Sequence, residues 1–230
     1  MRVVVIYPEV LDLARYRKNR KEFPPFGALY IASSIEENGH NVDILKLDPS
    51  NLKFDFSEYD VVAFSISSSA TFNMFMECRY NSIFRSDTLI MAGGIHANLF
   101  PEQTLLDLKP HVVGIGEGEG TVVELLTEKD SKNFNKIKGV CFLAGTKPTK
   151  TPPRVLTKNI DRFHFPARHL LPISDFIMED RMSNENIKIT HIMPGRGCPF
   201  PCRFCASAQT QVQYRSGENI RKELCHLIDK

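Results

Sequence analysis

Five short apolar runs alternate with amphipathic segments over roughly the first 130 residues, and that alternation leaves few folds open to the chain. Residues 2–7, 41–47, 59–65, 88–91 and 111–115 are rich in Val, Ile and Leu and read as strands. Between them, residues 27–38 place Leu29, Ile31, Ala32 and Ile35 at helical spacing, with Gly39 as the C-terminal cap. Helices are also expected from the hydroxyl-rich turn at 65–71 through Arg85, over 101–108 and over 121–127. Short apolar strands alternating with helices predict an α/β fold, a doubly wound parallel sheet covered on both faces.

In such a sheet ligands bind at the carboxyl ends of the strands, near the point where strand order reverses. The loops at those ends are unusual here. One carries Ser67 and Ser68, the next Gly93, Gly94 and His96, and the next Gly116, Glu117 and Gly118. Glycines there let a backbone approach a ligand closely. The run 116–120 reads equally as an ordinary strand-to-helix turn. None of these loops matches the dinucleotide fingerprint, and no glycine-rich turn follows the first strand, which disfavours NAD and FAD.

The loop 8–25 carries Arg15, Arg17, Lys18, Arg20 and Lys21. It reads as a solvated surface loop or as a lid over a ligand. Residues 139–143 predict a further strand paired with 147–156, and Cys78 and Cys141 read as small core hydrophobes. Pro148, Pro152, Pro153, Pro166 and Pro172 mark an irregular connector. Residues 187–193 alternate as a strand, and 219–228 place Ile220, Leu224, Leu227 and Ile228 at helical spacing. The expected organisation is a domain at 1–144, a connector at 145–186 and the start of a second domain at 187–230.

Cys198, Cys202 and Cys205 stand in a C-x3-C-x2-C spacing inside Gly-Cys-Pro-Phe-Pro-Cys-Arg-Phe-Cys. Pro199 and Pro201 exclude a helix interior there. Three thiolates from one loop suit an iron–sulfur cluster with one iron left free of protein ligands. A structural zinc needs four closed ligands, and Cys225 or His226 would have to supply the fourth. A plain thiol loop is the third reading.

This stretch resembles the cluster loop of the radical S-adenosylmethionine (SAM) superfamily, which has an aromatic residue just before its third cysteine, as Phe204 is here. The resemblance implies a 4Fe–4S cluster on Cys198, Cys202 and Cys205, SAM on the open iron, and Phe204 against the adenine. It also implies reductive cleavage of SAM to a 5′-deoxyadenosyl radical. The first half resembles the cobalamin-binding domain fused to many such enzymes. Pro25-Phe26-Gly27-Ala28-Leu29, the stretch 36–42, Ala92-Gly93-Gly94-Ile95-His96-Ala97 and the run 116–120 occur in that family's order. Many cobalamin domains carry Asp-x-His-x-x-Gly after the first strand, whose His ligates cobalt. This sequence has Tyr7-Pro8-Glu9-Val10-Leu11-Asp12 instead. His96 is the nearest imidazole at a strand end, read as a packing histidine or as a cobalt ligand. Residues 163–171 and 214–220 resemble the linker before the family's barrel and the entry to its first helix.

Radical SAM chemistry sits in a (βα) barrel, and barrels run to about 200 residues or more. From residue 187 the chain offers one βα unit. The expectation is therefore the start of a barrel: the front of a longer enzyme, a truncated product, or a barrel completed by a second chain. Its exposed strand edge predicts poor solubility or a partner. The expected function is SAM cleavage with cobalamin-dependent methyl transfer, acting on a small-molecule substrate with an electron donor. The alternative is a cobalamin-binding module or an inactive relic. A methylthiotransferase would need three further N-terminal cluster cysteines, and only Cys78 and Cys141 lie outside the C-terminal third. A net charge of +2 gives no basic footprint for nucleic acid. No apolar run reaches the ~18 residues of a membrane span, and the chain is expected in the cytoplasm, where six cysteines form no disulfide framework.

Overall fold

Val3, Val4, Val5 and Ile6 are all fully enclosed, which requires cover on both faces of the strand that carries them. The computed structural model describes residues 1–8, 23–179 and 188–228. In it β1 (Arg2–Pro8) runs between β2 (Asn41–Leu47) and β3 (Val61–Ser65), followed by β4 (Leu89–Gly93) and β5 (Val112–Gly114). These five are parallel. An antiparallel hairpin, β6 (Val140–Ala144) and β7 (Lys147–Lys150), extends the sheet to the order β2-β1-β3-β4-β5-β6-β7. The boundary expected at 144 therefore falls inside this hairpin.

The period-2 geometry of β1 divides its side chains between two cores. Val3, Val5 and Tyr7 pack with α1 (Phe26–Glu37) and α5 (Gly118–Thr127) through Ala28, Ala32, Ile35, Val122 and Leu125. Val4 and Ile6 pack with α2 (Phe72–Asn81) and α4 (Pro101–Leu108) through Phe75, Cys78, Leu105 and Leu108. The short α3 (Ile95–Leu99) adds Ala97 to that second core. Each fully buried Val, Leu or Ile contributes about 1.5–3 kcal/mol by leaving water, so the apolar run of β1 is stable only with helices over both faces.

Two helix ends differ from expectation. α2 stops at Asn81 rather than Arg85, because the Ser82 hydroxyl accepts the Phe54 N–H and the Ile83 N–H donates to the Phe54 carbonyl. α5 begins at Gly118, so two glycines lie in its first turn. The connector docks through buried Ile160, Ala167 and Phe176, and the Ala167 N–H donates to the Leu29 carbonyl of α1 at 3.2 Å.

The C-terminal segment departs more. The strand expected over 187–193 is reduced to β9 (Lys188–Ile189), paired antiparallel with β8 (Met178–Glu179). Alternation yields a strand only where a neighbour supplies the ladder. β10 (Gly195–Cys198) and β11 (Thr210–Tyr214) then form an antiparallel hairpin, followed by α6 (Gly217–Ile228). α6 leaves Leu224 and Ile228 exposed. The expected lid at 8–25 lies, apart from its ends, outside the described residues.

Candidate functional site: the carboxyl edge of the sheet and the cysteine hairpin

Strand order reverses between β1 and β3, so the ligand crevice of this fold lies at the carboxyl ends of the central strands. There the loops after β3 and β4 are joined backbone to backbone. The Ile66 N–H donates to the Gly93 carbonyl at 2.8 Å, and the His96 N–H donates to the Ile66 carbonyl at 3.1 Å. Gly94 lies at φ +98°, and a Cβ on it would meet the Ile66 oxygen at 2.6 Å. No other residue fits that position. Ser68 accepts the Ala70 N–H on its hydroxyl, 3.1 Å away, and shapes the turn before α2, while Ser67 is exposed.

His96 is 7% exposed. Its ring stacks on Phe72 with centroids 4.4 Å apart and lies 5.4 Å from Phe100. Nδ1 is hydrogen-bonded with the Ser69 hydroxyl at 2.8 Å. Nε2 is buried with no partner among the described residues. Burial lowers its pKa, so the ring is neutral at pH 7. The ring is thus packed between Phe72 and Phe100 with one unmet hydrogen-bonding atom.

The loop after β5 joins the same edge. The Gly116 N–H donates to Asn98 Oδ1 of α3 at 2.8 Å, and Gly116 lies at φ +88°. Gly118 faces α1 instead, since a Cβ there would meet Ile31 Cδ1 at 2.6 Å. Its smallness serves helix packing. Ile95, Leu99 and Phe100 are half exposed in and just after α3, an apolar lip beside the crevice. The edge thus combines a backbone closure that requires Gly94, a buried imidazole nitrogen without a partner among the described residues, and a half-exposed apolar lip.

Cys198 ends β10, and Cys202 and Cys205 are exposed in the loop that follows. Gly197 lies at φ +87°, where a Cβ would overlap the Gln211 carbonyl across the hairpin. The loop is held by its own turns, with the Cys205 N–H donating to the Cys202 carbonyl at 3.1 Å. Phe204 is 94% exposed. Among the described residues no three His, Cys, Asp or Glu side chains come together to hold a metal, and the zinc set with Cys225 or His226 is not formed either. The turns fix the loop's backbone and leave its exposed thiols unconstrained. The donor set has the chemistry of an iron–sulfur ligand triad, but its geometry here is not that of a finished site.

Buried charge docks this hairpin, which sequence reasoning missed. Glu223 of α6, 1% exposed, accepts from Arg168 at 3.0 Å and from Arg215. Arg168 also reaches the His191 carbonyl at 2.7 Å. Arg196 of β10 donates to Glu119 of α5, its guanidinium lying over the Tyr30 ring at 4.8 Å and the Phe163 ring at 5.0 Å. One signal was present: Glu223 stands in the apolar stripe Ile220, Leu224, Leu227 of its helix.

Residues 16–126 match the B12 binding domain family. The matched stretch is a little under half of the chain and spans the parallel part of the sheet from α1 to α5. The chain is 28% identical over 195 residues to an uncharacterized methyltransferase of Pyrococcus horikoshii, covering 80% of this chain and 41% of that protein. It is 22% identical over 227 residues to an anaerobic magnesium-protoporphyrin IX monomethyl ester cyclase of Synechocystis, covering 94% of this chain and 44% of that one. Among solved structures it is similar to the radical SAM methyltransferase TsrM of Kitasatospora setae with cobalamin and a [4Fe-4S] cluster bound. The TM-score is 0.62 at 17% identity, over 98% of this chain and 45% of TsrM. It is also similar to the cobalamin-dependent SAM radical enzyme OxsB with aqua-cobalamin bound, with a TM-score of 0.68 at 13% identity, over 98% of this chain and 31% of OxsB. These structural matches establish the fold. The chain spans less than half the length of the relatives it matches. No helix among the described residues is long and apolar enough to cross a membrane.

Proposed function

We propose that this chain binds cobalamin at the carboxyl edge of its sheet and brings the cysteine loop of a cobalamin-dependent radical SAM methyltransferase to it. What supports the reading is the match of residues 16–126 to the B12 binding domain family, together with the exposed apolar residues Ile95, Leu99 and Phe100 around His96 at the carboxyl edge. Ser67, Ser68, Gly93, Gly94, His96, Gly116 and Glu117 would line the cofactor. Cys198, Cys202 and Cys205 would hold a 4Fe–4S cluster, and Phe204 would meet the adenine of SAM. When bound, cobalamin supplies methyl-carrier chemistry, and a cluster with SAM supplies one-electron cleavage. The protein's own part is to position these groups and exclude water. A small-molecule substrate, an electron donor, a further chain or segment completing the barrel, and a cytoplasmic setting complete the proposal.

A second reading, a cobalamin-binding module without catalysis, is favoured by the family match, which covers residues 16–126 and does not reach the cysteine loop. Anaerobic incubation with SAM and reductant separates the two: 5′-deoxyadenosine supports the enzyme, and its absence supports the module. The site assignment is tested by reconstitution. Hydroxocobalamin should remain on the chain through gel filtration, and Cys202→Ala should lose the iron–sulfur absorbance seen in the parent. Failure to retain cobalamin, or full absorbance in the variant, would overturn the corresponding half.

A further inference from the structure

The turn from β5 into the start of α5 has contacts toward both proposed sites. On one side Gly116 is tied to Asn98 of α3, the helix that also carries His96. On the other side its two carboxylates hold the C-terminal segment. Glu119, 6% exposed, receives the Arg196 guanidinium, and Arg196 stands two residues before Cys198. One oxygen of Glu117 accepts the Thr157 N–H at 2.8 Å, and the Thr157 carbonyl accepts from the Gln213 amide of β11. The other Glu117 oxygen is buried with no partner among the described residues. Both strands of the cysteine hairpin are thus registered on five consecutive residues, 116–120, that also border the crevice.

We propose that Glu119 and Arg196 are positioning residues which keep the cysteine hairpin in register with the cobalamin edge, so that filling either site tightens the other. The inference rests on the proposed function and adds the link between its two sites. Generic docking would be served by any surface of the sheet's helices, and the Glu223 network of α6 already provides that service. The Glu119–Arg196 pair differs in where it lands. It joins the first turn of α5 to the strand that ends in Cys198, with Arg196 clasped between Tyr30 and Phe163. A buried pair of this kind has one tight geometry, so displacement of one partner displaces the other. Linkage then acts equally in both directions.

The test is the affinity of the full chain for hydroxocobalamin, measured before and after anaerobic loading with iron and sulfide. The parent chain should bind cobalamin at least about 5-fold more tightly once loaded, the lower end of ordinary coupling between sites. Glu119→Gln should bind both and show equal affinity in the two states. Where that variant fails to fold, the double variant Glu119→Gln with Arg196→Gln removes both charges and should show the same loss. Docking without coupling would move stability and leave the ratio of affinities unchanged. Equal affinities in the parent, or a ratio that survives in the variants, would overturn the inference and leave the proposed function standing. A parent chain that takes up neither cobalamin nor iron would overturn both.

Discussion

Gly94 is the residue whose replacement has the clearest expected cost. Gly94→Ala must accept φ +98° and a contact of 2.6 Å with the Ile66 oxygen, which belongs to backbone and cannot swing aside. A loss of about 1–3 kcal/mol in urea unfolding is expected, with weaker cobalamin retention. Wild-type stability would contradict the geometry. Histidines set the acid side of the stability profile. His40, His96 and His111 all have lowered pKa values, each chiefly through burial. Unfolding restores their ordinary value near 6.5, so the unfolded chain binds more protons on acidification. Their contribution is complete above about pH 6.5 and is lost as pH falls through the lowered folded values. His96→Gln should therefore show a smaller drop in melting temperature between about pH 7 and pH 5 than the parent, and an unchanged drop would argue against a neutral buried ring. That His96 sits at a strand end could be read from the motif around it. Its stacking on Phe72 could not, because that contact is made by α2, a separate element.

Among the elements, α6 and its hairpin depend most on buried charge. Glu223→Gln leaves Arg168 and Arg215 without their carboxylate and should cost about 3–5 kcal/mol in the segment it anchors. Glu218→Gln, on the exposed face of the same helix, should change stability by less than about 1 kcal/mol. Equal effects would mean that the Glu223 network does not anchor the segment. The five parallel strands were legible because each is a local apolar run whose burial needs no distant information. Residues 187–193 were misjudged because alternation cannot say whether a neighbour exists. The early start of α5 was hidden by its glycines, which suggested ligand approach where Gly118 serves contact with Ile31.

At the scale of the whole molecule, the turn from β5 into α5 contacts α3 at the sheet edge through Gly116 and the thiol hairpin through Glu119. The order of the motifs along the chain was enough to suggest a cobalamin domain followed by a cluster loop. How the second part sits on the first was not, because the Arg196–Glu119 and Arg215–Glu223 pairs depend on burial that no local pattern reveals. The proposed function puts cobalamin at the carboxyl edge. Hydrogen exchange of the full chain with and without hydroxocobalamin tests it most directly. Protection is predicted in residues 66–71, 93–100 and 114–118, with the amino ends of the same strands unchanged. Binding without protection there, or protection confined to the opposite edge, would contradict it.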